Sequence, residues 1–289
     1  MEKIIDFKCT YDNSAGINEE ITKKLDLSFP DAYKHGKTMA LISKELKKDD
    51  NAPFCELPFC HTVEGEAMGG VIKYGDEKIG PRSKEYVCNN ANDILSLNNI
   101  DFTKGRISEV LRACTHLRNE GENVVLQING PFTILNVLMD PTTVFKIFKK
   151  EPGKMKLIFE KFQNEILDFI KEGQRAGANL ISFADSSGSV NILGPKMMKE
   201  YVDMFTYPFL KKAENIIGDN TILLLCPKTT FALLGTNKGT FYDIELSKSM
   251  KYGEGCIEAI GKAKIVGQTC IKNINYKLNE GTIKGIKLI

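Results

Sequence analysis

NLISFADSSGS, residues 179–189, is an apolar run that stops on an aspartate and opens into small hydroxyl residues and a glycine. Its core lacks the apolar–polar alternation of a half-exposed strand, which predicts burial on both faces, the mark of a parallel sheet. Outward from this stretch the same unit repeats. Strands are predicted at 123–129, 179–184 and 221–226, with helices after Pro131, over 154–175 and over 195–217. Further strands are predicted at 240–246 and 264–270, with a helix near 253–262. A strand returning to its own sheet through a helix needs a right-handed crossover, and repeating that unit gives a doubly wound sheet or a closed barrel. About six or seven barrel strands are legible, short of a complete set of eight.

Toward the N-terminus the periodicity turns helical. Helices are predicted over 17–25 and 31–48, the second with Asp31 as N-cap and Met39, Leu41 and Ile42 on its apolar face. Next comes CELPFCHTVEGEAMGG (55–70), an extended apolar run that breaks into a polar, Gly-ended loop. A short strand at 71–74 and a helix over 107–118 follow. The tail INYKLNEGTIKGIKLI (274–289) places Asn279-Glu280-Gly281 between two short runs, which predicts a β-hairpin. No Gly, Ser or Pro-rich linker divides the chain. The expectation is one domain over 1–289: N-terminal helices in 1–50, a barrel in 51–272 and a hairpin in 273–289.

Composition excludes several classes. The 39 basic and 37 acidic side chains leave a formal charge of +2, without the clustered cations of a nucleic-acid or membrane-surface protein. No apolar run reaches the roughly 18 residues of a membrane span, and the first residues lack a signal-peptide core, so a cytoplasmic protein is expected. Eight cysteines without paired spacing predict reduced thiols, mostly small buried hydrophobes. There is no CxxC pair, GxGxxG, P-loop or GxSxG. A chain of 289 residues buries enough core to fold without disulfides or a metal.

Ligands of parallel sheets collect beyond the carboxyl ends of strands, so the strand ends carry the candidate chemistry. PFCHTVEGEAMGG (58–70) places Cys60, His61, Glu64 and Glu66 within seven residues. The two carboxylates read as catalytic groups or as stabilisers of a helix's first turn. Asp185 follows its strand directly, with Ser186 and Gly188 beside it; it reads as a carboxylate at the mouth or as a turn-forming N-cap. Asn129 opens the NGPF turn (129–132), whose backbone suits close ligand approach. Cys226 and Cys270 end neighbouring strands and, with His61, could form a thiolate-rich zinc site. His35 and His116 fall within predicted helices and read as packing or surface residues.

At these residues the chain resembles the uroporphyrinogen decarboxylase superfamily, and within it the methylcobamide:thiol methyltransferases. KHGKTMALISKEL (34–46) followed by LPFCHTVEGEAMGG (57–70) is similar to that family's helix and its PF-x-x-TVEAEA-x-G loop. INGPFTILNVLMDPTTVFKIFKKEP (128–152) resembles the GPFT helix, and the segment 172–212 matches the AGAD…D…S…LSP…F…P–F pattern. TILLLCPKTT (221–230) stands where the family has its HxCG strand, and IVGQTC (265–270) where it has its "G–N" strand. The resemblance runs from about residue 30 to 275. Each motif alone is modest; together they are specific.

The resemblance implies a TIM-type (β/α)8 barrel, incomplete or truncated at its C-terminus, with an N-terminal helical segment. It implies a corrinoid-dependent methyltransferase that moves a methyl group between a methyl-corrinoid partner protein and a small acceptor, a thiol or a folate. In that branch a zinc ion activates the thiol. Cys226 falls on the zinc-ligand cysteine, but the family's histidine two residues earlier is here Leu224. The family's last cysteine lies in a C-terminal segment that this shorter chain is expected to lack. A rearranged site from Cys226, Cys270 and His61 is the expectation that remains. Glu66, Glu64 and Asp185 are the expected catalytic groups, and Asn129 and Ser186 the expected substrate contacts. The competing reading is a non-catalytic corrinoid-binding or accessory relative, which Leu224 favours. Porphyrinogen decarboxylation comes third: residues 1–50 contain no arginine to grip a substrate's carboxylates.

Overall fold

The computed structural model describes residues 4–9 and 16–289. Its main sheet has seven strands: β1 (Cys55–Leu57), β2 (Val124–Asn129), β3 (Leu180–Ala184), β4 (Ile222–Leu225), β5 (Gly239–Glu245), β6 (Ile265–Val266) and β7 (Thr282–Leu288). Their order in space is β1-β2-β3-β4-β6-β7-β5. The first four and β6 run parallel, and β7 is antiparallel to both β6 and β5. The carboxyl ends of β1, β2, β3, β4 and β6 therefore open on one edge of the sheet.

Alternation along these strands sorts their side chains between two apolar layers. Cys55, Leu57, Leu126, Ile128, Ile181, Phe183, Leu223 and Leu225 face the helices and join the larger core. The long helix Pro152–Arg175 closes that layer with Met155, Ile158, Phe159, Phe162, Ile166, Phe169 and Ile170, a stripe at three- and four-residue spacing. The opposite face carries Phe54, Val125, Leu180, Ile222, Leu224 and Val266, packed against Ile244, Tyr252, Cys256 and Ile283 from the last third of the chain. Burial on both faces is what NLISF demands.

Four expectations change in detail. Among the described residues β1 and β5 end the sheet and do not pair with each other, so it is open where a (β/α)8 barrel would close. The cause is β7, which enters antiparallel and gives its other edge to β5 instead of to another parallel strand. The tail is not a hairpin: Lys277–Leu278 pairs with Met250–Lys251, while β7 pairs with β5 from Thr282↔Glu245 to Leu288↔Gly239. β7 buries Ile283, Ile286 and Leu288, and β5 pairs with it along its full length. The helix expected over 31–48 divides into a 3-10 turn at Asp31–Tyr33 and a helix at Gly36–Asp49, so Asp31 is not its cap. His35 is that helix's extended N-cap, and the Gly36 N–H donates to Glu109 Oε2 at 2.8 Å. β6 ends at Val266, which leaves Cys270 in the loop beyond it. No helix among the described residues is long and apolar enough to cross a membrane.

Candidate active site at the carboxyl edge of the sheet

The loop after β1 turns at once into a short helix, Val63–Ala67, and directs its polar residues two ways. Glu64 points inward and is fully buried. Its carboxyl takes the Asn129 backbone N–H on Oε1 at 2.8 Å and the Asn129 side-chain Nδ2 on Oε2 at 2.7 Å. Asn129, the last residue of β2, is thereby fixed, and its Oδ1 stands 2.6 Å from His61 Nδ1. Burial pushes the Glu64 carboxyl up, and the two Asn129 donors pull it back in part. Burial also lowers His61, which favours the neutral imidazole.

Glu66 points the other way, into a second network. It accepts from Arg106 Nε at 2.6 Å and from the Tyr74 hydroxyl. The same guanidinium donates to Cys60 Sγ at 3.0 Å and to Thr62 Oγ1 at 2.6 Å, and lies over the Tyr74 ring. Arg106 is buried, and its charge is compensated by Glu66 and by these acceptors. The arrangement stiffens the loop that presents His61.

Asp185 sits elsewhere than at an open mouth. It is 3% exposed, and its oxygens accept from the Phe132 and Thr133 N–H groups at 3.2 and 2.8 Å, the Thr133 hydroxyl at 2.8 Å and the Tyr201 hydroxyl at 2.6 Å. It caps the helix Pro131–Leu138, which follows β2, rather than the helix after its own strand. Gly130 allows this approach, since a Cβ there would lie 2.4 Å from Asp185 Cβ. Asp185, Glu64 and Glu66 therefore stand in three separate hydrogen-bond networks. Ser186 is half-buried, with its hydroxyl 3.4 Å from Thr133 Oγ1.

A cleft of about 410 Å³ opens beside His61. Phe54, Phe59 and Leu46 line its apolar side, and Glu56, Gln127 and Lys272 its polar side. Gln127 Nε2 donates to Glu56 Oε2 at 2.8 Å, and the same oxygen pairs with the Lys272 ammonium. A small molecule entering the cleft meets an apolar wall, a charge pair and an imidazole together. Glu56, Lys272, Arg106 and Tyr201 were not singled out from sequence. Glu56 alone left a signal, a charged residue inside the buried strand CEL.

The expected zinc ligands do not make a donor set. Cys226 caps the helix Pro227–Gly235, and burial pushes its thiol up to about 12. Cys270 is close enough to raise the cost of ionising Cys226. Leu224, 2% exposed, packs in the apolar layer where a histidine would be needed. Among the described residues no three His, Cys, Asp or Glu side chains stand close enough to hold a metal ion. A zinc ion does not fit these residues.

Comparison with known proteins follows the same lines. The family described as Uroporphyrinogen decarboxylase (URO-D) matches residues 15–250. A methylcobamide:CoM methyltransferase (MtaA) of Methanosarcina barkeri is 22% identical over 254 residues, covering 86% of this chain and 73% of the relative. A methylcobamide:CoM methyltransferase (MtbA) of Methanosarcina acetivorans is 23% identical over 219 residues, covering 71% of this chain and only 61% of the relative. Among solved structures, a methyltransferase from Methanosarcina mazei superposes with a TM-score of 0.63 at 20% identity, covering 80% of this chain and 68% of that one. At that identity the likeness is one of fold.

Proposed function

The chain belongs to the uroporphyrinogen decarboxylase family, and on that premise we propose that it is a corrinoid-dependent methyltransferase. In this reading a cytoplasmic partner protein carries the methyl-corrinoid, and a small thiol or folate occupies the cleft as acceptor. The fold is that of a TIM-type barrel left open between β1 and β5. The observation that carries the reading is the imidazole of His61, oriented by Asn129 and Glu64 at the wall of a cleft beyond the carboxyl ends of parallel strands. The methylcobamide:CoM methyltransferases among its relatives support the same class. Decarboxylation of a porphyrinogen is disfavoured, because Arg106 is occupied by Glu66, Cys60 and Thr62.

The chain's own residues divide the work. Glu56, Gln127 and Lys272 offer an acceptor polar contacts, and Phe54 and Phe59 exclude water from one side of it. Methylcobalamin serves as a stand-in for the partner's corrinoid. Mixed with the protein and a panel of cysteine, homocysteine, 2-mercaptoethanesulfonate and tetrahydrofolate, it should lose its methyl group to at least one acceptor. Loss of the methyl–cobalt absorption and mass spectrometry of the acceptor report this. A second reading, the non-catalytic accessory relative, is favoured by Leu224 and the absent donor set. Tight binding of a corrinoid protein without turnover on any acceptor would establish it instead.

A further inference from the structure

Resting on the methyl-transfer reading, we propose that His61 is the general base that takes the proton of an acceptor thiol, and that Glu64 and Asn129 fix the tautomer this requires. One chain of hydrogen bonds, Glu64 to Asn129 to His61, fixes the ring. Glu64 is a buried carboxyl whose two oxygens face two N–H donors of Asn129. The Asn129 amide presents Nδ2 to Glu64 and its Oδ1 to the other side. Oδ1 in turn only accepts, so His61 Nδ1, 2.6 Å away, carries the hydrogen. The neutral imidazole then has its basic lone pair on Nε2.

Among the described residues Nε2 has no protein partner, and it is not among the sealed polar atoms of the interior. His61 lines the cleft, so that lone pair is available to a ligand there. Around the cleft stand Lys272 and Glu56, which pair with each other, Lys47, which pairs with Glu122, and Asp50. Burial disfavours a second proton on His61, the Asn129 contact works the other way, and Lys272 adds to the effect of burial. This supplies by proton transfer what the missing zinc donor set cannot supply by coordination.

The step balances. The acceptor's S–H bond breaks, its proton passes to Nε2 and the electron pair stays on sulfur. The sulfur attacks the methyl carbon of the partner's methyl-corrinoid; the S–C bond forms, and the Co–C bond breaks with its pair left on cobalt, reducing Co(III) to Co(I). The imidazolium then returns its proton to solvent.

Histidine 15N spectra test the tautomer without any turnover. The chain has three histidines, so His61→Gln assigns the signal. Wild type should show Nδ1–H with a bare Nε2. Glu64→Gln should invert it. The new amide oxygen accepts the Asn129 N–H, its NH2 turns the Asn129 amide over, and His61 becomes Nε2–H. In thiol methylation, His61→Gln should lower kcat about 100-fold or more at pH 7 with KM changed little. That loss should shrink as pH rises past the thiol's own pKa, and added imidazole should restore part of the rate in His61→Ala. An Nε2–H tautomer in wild type overturns the proposal, as does a loss that is independent of pH and not rescued by imidazole. The two readings fail separately. A wild type that moves no methyl group overturns the methyl-transfer reading, whereas turnover with a pH-independent defect overturns the base alone.

Discussion

Arg106→Met will destabilise the fold by about 3–5 kcal/mol, because it removes one partner of a buried ion pair and leaves the other. Methionine keeps the length and apolar stem of the side chain, so lost packing contributes little. What remains is Glu66, with 19% of its side chain exposed, facing the space its guanidinium filled. Cys60 and Thr62 lose a donor each at the same time. Glu66→Gln added to Arg106→Met removes the stranded charge, and the double variant should regain a large part of the loss. Urea unfolding of the two single variants and the double variant measures the coupling directly. A loss below about 1 kcal/mol for Arg106→Met would mean the pair is a solvated surface contact, which pairs of that kind typically are.

Asp185→Ala should cost about 4 kcal/mol, near the upper end for a single substitution. Four donors converge on this carboxyl, and two are the N–H groups that open the helix Pro131–Leu138. Removing the acceptor strands all of them in a sealed space, where each unsatisfied group carries its own desolvation penalty. Asp185→Asn keeps one acceptor oxygen and should lose about half as much. Tyr201→Phe deletes a single donor and should cost only about 1 kcal/mol. Thermal melts give this ranking. If Asp185→Ala were fully folded and as stable as wild type yet inactive, the aspartate would be a catalytic group and the structural role assigned to it would fail.

Sequence foretold the sheet better than it foretold the site. Apolar runs such as LISF and ILLL announce burial on both faces, and parallel neighbours follow from that requirement alone. Strand-end reasoning singles out His61, Glu64, Glu66 and Asn129, since these residues lie on the segments that leave β1 and β2. It could not tell that Glu64 turns toward Asn129 while Glu66 turns toward Arg106, because a two-residue step on a helix separates faces by geometry the composition does not record. Arg106 reads as an ordinary helix cation, and its burial depends on Glu66, forty positions away. The tail misled for a related reason. A turn-like Asn-Glu-Gly between two short runs favours a hairpin locally, but β7 finds a longer partner in β5. Asp185 looked like a group at the mouth because nothing in SFADSSGS reveals that the neighbouring helix points its N-terminus at it.

In the methyl-transfer reading the chemistry occurs in the cleft beside His61. Ala52 lines that cleft, and Ala52→Trp crowds it while His61, Asn129 and Glu64 keep their own side chains. The measurement is a single-turnover transfer of a 13C-methyl group from methylcobalamin to a thiol, run with wild type and with Ala52→Trp after matched melting curves. Wild type should deliver the label to sulfur, and the filled variant, folded alike, should deliver almost none. Equal transfer by both proteins would put the chemistry somewhere other than this cleft.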